Sequence, residues 1–183
     1  MGETNRTPEF LSKFPLGKVP TLETHPTDGS APVYLSESAA LAHFIADSGP
    51  ARSQLLGATA AERAKIQEWI FHSEHEVFPF VLTGSRPPRG LVEFNADEDA
   101  KARAGLERTV KVLEATVGQQ EWVAGTKELS LADLTLAGAL FWAFKFWVDG
   151  EFRARYPQTV EWYLRVIESE HARDVSGPKD FRE

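Results

Sequence analysis

The chain has 183 residues, 42% of them apolar, with 12 Phe and 5 Trp, enough to bury roughly 70% of its unfolded surface. A formal charge of −7 argues against nucleic acid or an anionic membrane as the main partner. The absence of cysteine excludes a disulfide, a thiolate metal site and a cysteine nucleophile. Met1 is followed by Gly2-Glu3-Thr4-Asn5-Arg6 with no apolar run, so no secretory signal is expected and the protein is read as soluble and cytoplasmic. For the same reason the glycosylation-like triplet Asn5-Arg6-Thr7 is taken as chance.

Thr7-Pro8-Glu9-Phe10 opens a short helix, with Thr7 as cap, proline at the first helical position and an acid at the positive end of the dipole. Pro15-Leu16-Gly17 stops it. Lys18 to Glu23 reads as a strand, with Pro20 confined to its start or to an edge. A turn from His25 to Pro32 leads to Val33-Tyr34-Leu35, giving an antiparallel pair. Ser36-Glu37-Ser38 caps a helix striped by Leu41, Phe44 and Ile45 that ends by Ser48-Gly49-Pro50.

Composition shifts between Gly49 and Ala58, dividing a small N-terminal α/β piece (1–49) from an all-helical remainder (58–183). Thr59 to Glu62 is a capping box for a helix carrying Ile66, Trp69, Ile70, Val77 and Phe80. Asn95 to Glu98 has the same spacing, and Leu106, Val110, Leu113 and Val117 line one face of the helix that follows. Ser130-Leu131-Ala132-Asp133 is the strongest local signal. The Ser130 hydroxyl is placed to accept from the N–H three residues on, and the Asp133 carboxylate to reach back to the cap. The run from Leu134 to Trp147 is apolar nearly all round, which predicts a central helix buried on every side. A last helix starts near Pro157, and the tail from Arg173 is polar and expected to be loose.

His72 and His75 share a helix face, but their spacing is not that of the zinc-protease motif. A third ligand would have to come from His25, His43, His171 or a distant carboxylate, so a solvated polar face is the simpler reading and no metal is expected. Neither a phosphate-cradling glycine loop nor a nucleophile elbow is present. Arg6, Lys13 and Lys18 are basic in an acidic chain and could draw an anion, or be three exposed cations. Lys18-Val19-Pro20 and Glu37-Ser38 admit two readings. They are a turn and a helix cap; or, with the Val19–Pro20 bond cis, they are a site. In the second case the Val19 main chain would pair with a peptide ligand, whose amino-acid head would meet Glu37 and Ser38 at a helix N-terminus.

Taken together, Thr7 to Pro20, Glu37-Ser38-Ala39-Ala40 and Ser130 to Thr135 resemble the glutathione S-transferase superfamily. The likeness is greatest to the transferase-like domain of translation elongation factor one gamma and its stand-alone fungal relatives, some of which serve secondary metabolism. The resemblance implies an α+β chain: a thioredoxin-like N-terminal domain, here without its first β-α-β unit, then an all-α C-terminal domain. It implies that Val19, before the cis-proline Pro20, pairs with the cysteinyl part of glutathione, that Glu37 and Ser38 hold the γ-glutamyl end, and that Lys18 reaches the glycyl carboxylate. It assigns Ser130 and Asp133 to a helix-capping box that serves folding.

Glutathione would be a co-substrate, with no resident cofactor. The residue that activates the thiol lies, in the family, in the β-α-β unit this chain lacks, so none is assigned; Ser12 and Thr7 belong to another motif. Transfer of glutathione to a small electrophile is one expectation, with an aromatic wall from Trp69, Phe78 or Phe80; a non-catalytic interaction module is the other. A homodimer is expected, with Phe78, Phe80 and their helix as a docking surface.

Overall fold

The computed structural model describes residues 2–170, 172–176 and 181–182. The chain divides into two compact units, Met1–Arg52 and Ser53–Glu183.

In the first unit a 3-10 turn, Thr4–Arg6, precedes α1 (Pro8–Lys13), β1 (Leu22–Thr24), β2 (Val33–Leu35) and α2 (Ser38–Ser48). The Thr7 hydroxyl accepts from the Phe10 N–H at 3.2 Å, and Pro8 occupies the first helical turn, where its missing donor costs nothing. The strands are antiparallel, with Leu22 opposite Leu35 and Thr24 opposite Val33. The strand expected from Lys18 therefore begins later, at Leu22, because Pro20 has no N–H to give a ladder. Lys13 ties α1 to β1 through Glu23 at 2.8 Å. Phe14 is buried between the rings of Phe10 and Tyr34 at 5.1 and 5.8 Å. The expected stripe on α2 is only partly covered: Leu41 is buried, but Phe44 and Ile45 are 36% and 60% exposed. Two strands of three residues each are too small a sheet to cover a whole helix face.

The second unit is helical: α3 (Arg52–Leu56, whose first residue closes the first unit), α4 (Ala60–His72), α5 (Phe78–Ser85), α6 (Ala96–Val117), α7 (Leu131–Phe146), α8 (Gly150–Arg155), α9 (Pro157–Ile167) and α10 (Arg173–Ser176). Between α4 and α5 lies a π-helical turn, Ser73–Val77, in which the Phe78 N–H reaches back to the Ser73 carbonyl. Pro79, in the first turn of α5, has no N–H and its ring cannot sit against the carbonyl four residues earlier. A wide turn just before it absorbs both demands.

α7 packs against α4, α5 and α9, and α6 against α5 and α9. At Gly84 of α5 an added Cβ would lie 1.9 Å from the Trp147 ring, so only a glycine lets that indole in. The Trp147 indole N–H donates to Asp99 Oδ1 of α6 at 2.7 Å.

The anchor of the unit is Asp133, which is fully buried. With Ser130 it forms the expected capping box. Its Oδ2 accepts from the Ser130 N–H and hydroxyl at 2.9 and 2.7 Å, and its Oδ1 from the Val123 N–H and the Trp162 indole N–H, both at 2.9 Å. One carboxylate thus joins the α6–α7 loop, the α7 cap and α9. The start of α9 is capped from a distance: Glu114 of α6 accepts from the N–H groups of Gln158 and Thr159 at 3.0 and 2.7 Å.

Two expectations for this unit need correction. α7 is not buried all round: Leu134, Phe141, Trp142, Lys145 and Phe146 are half-buried and Gly138 is exposed, a stripe at helical spacing that the described helices leave partly open. Nor is the tail, expected to be loose from Arg173, loose at Phe181 and Arg182, although Val175 is 87% exposed. Phe181 packs against Phe144 at 5.7 Å, and Arg182 donates its N–H to the Phe144 carbonyl at 2.9 Å and its guanidinium to the Trp147 carbonyl at 2.8 Å. These are carbonyls that the end of α7 leaves without partners of its own.

Replacing Asp133 by Ala strands two buried N–H donors and the cap. We expect a loss of about 3 kcal/mol or more in urea unfolding, against about 1 kcal/mol for Ser130→Ala. His72 is half-buried, and burial pushes its pKa below the ordinary 6.5 against the pull of Glu76 and Glu68. The unfolded imidazole therefore takes up a proton before the folded one, so stability held above pH 6.5 falls as pH drops towards the folded pKa. Urea unfolding from about pH 7 to 5.5 should show this fall, and His72→Gln should flatten it; an unchanged slope in the variant would show that His72 is not its source.

Candidate functional site

Residues Lys18, Val19, Pro20, Glu37 and Ser38 line one cleft of about 130 Å³ in the first unit, with Phe14 also against it. Two chain reversals bring them there. The loop after α1 carries Lys18 to Pro20, in which the Val19–Pro20 peptide bond is cis. The β1–β2 ladder runs only from Leu22 to Thr24, so the Val19 N–H and carbonyl take no part in it. From the other side, β2 ends at Leu35 and the chain turns through Ser36 and Glu37 into α2.

Glu37 occupies the N-cap position of α2 with φ 72° and ψ 117°, the one positive-φ residue other than glycine among the described residues. Its side chain makes no cap hydrogen bond. The expected Ser36-Glu37-Ser38 cap is thus not formed by side chains; Ser38 is instead the first helical residue. L-residues rarely adopt this backbone conformation, and where they do the surroundings must hold it. The result is a carboxylate on the cleft wall that is not engaged in capping, beside a hydroxyl and the free N–H groups of the first turn of α2. A cation, Lys18, also lines the cleft. Such a cleft can pair with an ammonium, a carboxylate and a peptide main chain.

The loop that carries Lys18 is held by Asn5, which belongs to none of the site motifs. Asn5 Nδ2 donates to the Gly17 carbonyl at 2.6 Å. Gly17 has φ 59°, and an added Cβ would meet the Asn5 carbonyl oxygen at 2.8 Å. The only sequence signal was the glycine after Pro15, read simply as a stop.

The other candidates are placed otherwise, each within its own unit. Lys13 is committed to Glu23: the hydrogen bond between them raises the lysine pKa and lowers that of the carboxylate. The cluster of Arg6, Lys13 and Lys18 is therefore not a set of three available cations. His72 and His75 are not one solvated face. His72 packs edge-on to Trp69 at 5.0 Å with its Nε2 buried and unpartnered, while His75 is exposed with Nδ1 3.0 Å from the Phe71 carbonyl. Among the described residues no group of three or more His, Asp or Glu is placed to hold a metal ion; His171 lies outside them. Trp69 is a core residue and Phe80 turns towards Gly105 of α6, so these two with the exposed Phe78 do not make a wall.

Residues 68–170 match the glutathione S-transferase C-terminal domain. A glutathione S-transferase-like protein from Aspergillus aculeatus is 46% identical over 96% of this chain and 81% of its own length. The GST-like domain of elongation factor 1-gamma from Saccharomyces cerevisiae superposes with a TM-score of 0.79 and 26% identity, over 95% of this chain and 78% of that one. The glutathione transferase URE2P6 from Phanerochaete chrysosporium, solved in complex with oxidized glutathione, gives 0.81 at 20% identity over 94% and 78%, a likeness of fold. No helix among the described residues is long and apolar enough to cross a membrane. With a β-hairpin in the first unit, an all-helical second unit built on the Ser130–Asp133 cap, and this degree of identity, the chain belongs to the glutathione S-transferase superfamily, as a glutathione S-transferase-like protein of the fungal type.

Proposed function

We propose that the protein binds glutathione in the cleft of the first unit and conjugates it to a small electrophile, in the cytoplasm, in secondary metabolism or detoxification. The observation that carries the reading is the convergence of Lys18, the unladdered Val19 main chain, Glu37 and Ser38 on one cleft. In that cleft the γ-glutamyl ammonium pairs with Glu37. The γ-glutamyl carboxylate accepts from Ser38 and the first-turn N–H groups of α2, where the helix dipole favours an anion. Val19 meets the cysteinyl main chain, and Lys18 the glycyl carboxylate. The thiol needs help to ionise at neutral pH, and no residue of the cleft is assigned to that step.

The second reading is a non-catalytic module that docks a partner protein. Its support is the likeness to the GST-like domain of yeast elongation factor 1-gamma. Calorimetry with glutathione, followed by a conjugation assay with an aromatic halide, separates the two. Saturable binding that Glu37→Ala weakens about tenfold or more supports the glutathione site, and turnover supports the transferase. Absence of binding by a folded wild-type protein favours the docking module.

A homodimer is part of the same proposal. Phe71, Phe78 and Leu82 lie 55%, 36% and 40% exposed along α4 and α5, a stripe suited to burial against a second copy. Phe80, expected beside Phe78, faces α6 instead. Light scattering should give a dimer that Phe78→Glu converts to monomer; a wild-type monomer would remove the proposal.

A further inference from the structure

The stripe proposed for the dimer is not wholly apolar, and what interrupts it is an imidazole. Phe71, His75, Phe78 and Leu82 follow one another at intervals of four, three and four residues, and all are exposed. They share one face of the run from α4 through the π-helical turn into α5. The His75 ring meets that of Phe71 at 5.9 Å and 62°, and its Nδ1 lies 3.0 Å from the Phe71 carbonyl. A carbonyl only accepts, so Nδ1 carries the hydrogen and Nε2 keeps the lone pair that takes a proton on acidification.

The rest of this face can be buried against an identical one without stranding a charge. α5 carries no ionisable side chain. Arg108 of α6 binds Glu76 of the turn at 3.0 Å, while Arg103 and Glu107 of the same helix are paired with Asp99 and Arg155. On α4, Glu68 is paired with Lys65 at 2.7 Å, and His72 packs on Trp69 with its Nε2 buried. α7 brings Asp133, buried in its cap, and Lys145, beside the rings of Phe141 and Phe146. Glu74 is half-buried and, one residue before His75, lies off the stripe. His75 is therefore the group on the stripe whose charge changes near neutral pH.

We propose that His75 makes the homodimer sensitive to protons: neutral, it is buried in the seam between two copies; protonated at Nε2, it drives them apart. The inference rests on the dimer proposed above. In a two-fold contact the stripe meets itself, so both imidazoles enter one apolar seam. Burial penalises the charged ring over the neutral one, and the two charges repel. The monomer thus binds protons in preference to the dimer, and by linkage acidification favours the monomer. Loss of net charge acts in the opposite direction, since the −7 of the chain falls towards zero on acidification and self-repulsion with it.

Sedimentation velocity at about pH 7.5 and about pH 6.0 provides the test. With two protonation sites lost per dimer, the dimer dissociation constant should rise roughly tenfold between them. His75→Gln should remain dimeric with equal constants at the two pH values. His75→Arg, charged at both, should be monomeric at both, with an unchanged circular dichroism spectrum as the measure of an intact fold. A wild-type dimer equally strong at both pH values, a His75→Gln variant that is monomeric or still responds to pH, or a dimeric His75→Arg would overturn the switch and leave the wild-type dimer standing. A wild-type monomer at about pH 7.5 would remove dimer and switch together.

Discussion

A fully buried carboxylate with four hydrogen-bond donors organises the helical unit. Asp133 would be costly to bury if it were bare. Ser130 supplies two of its donors, the α6–α7 loop a third through Val123, and α9 the fourth through the Trp162 indole. The set closes only when the α6–α7 loop, the α7 cap and α9, which lies 29 residues on, are in place together. It therefore specifies how α9 and the loop meet α7, which apolar packing alone, tolerant of slippage, would leave looser. Trp147, at the other end of α7, plays a related part, held by Asp99 and admitted by Gly84.

The features legible in the sequence were the local ones. Thr7-Pro8, Thr59-Glu62 and Ser130-Asp133 each announce a helix start through the chemistry of the first turn, and each is found capping one. The hairpin was legible from its turn, although Pro20 shortened the first strand. Long-range partners were not legible. Nothing local to Pro157 signals that Glu114, far back on α6, caps α9, nor that Phe181 and Arg182 return to finish α7. An apolar run also says nothing about coverage: Trp142 and Phe146 read as core, yet the packing around α7 leaves their flank half-open.

The cleft was legible in part. The five residues singled out from the Lys18-Val19-Pro20 and Glu37-Ser38 motifs do share one cavity. What the motifs could not convey was how the backbone presents them. Glu37 has positive φ and is withdrawn from capping, so its charge remains available. Asn5 fixes the loop through the Gly17 carbonyl, a contact with no signature in either motif. The buried network around Asp133 fixes how segments of the helical unit meet, and the smaller first unit carries the polar groups that line the cleft.

Amide chemical-shift mapping with reduced glutathione tests the central functional claim most directly. The account predicts that the Val19, Ser38 and Ala39 amides move together and saturate with one affinity. Silence at these amides while others shift, or no shift anywhere at millimolar ligand, would contradict it.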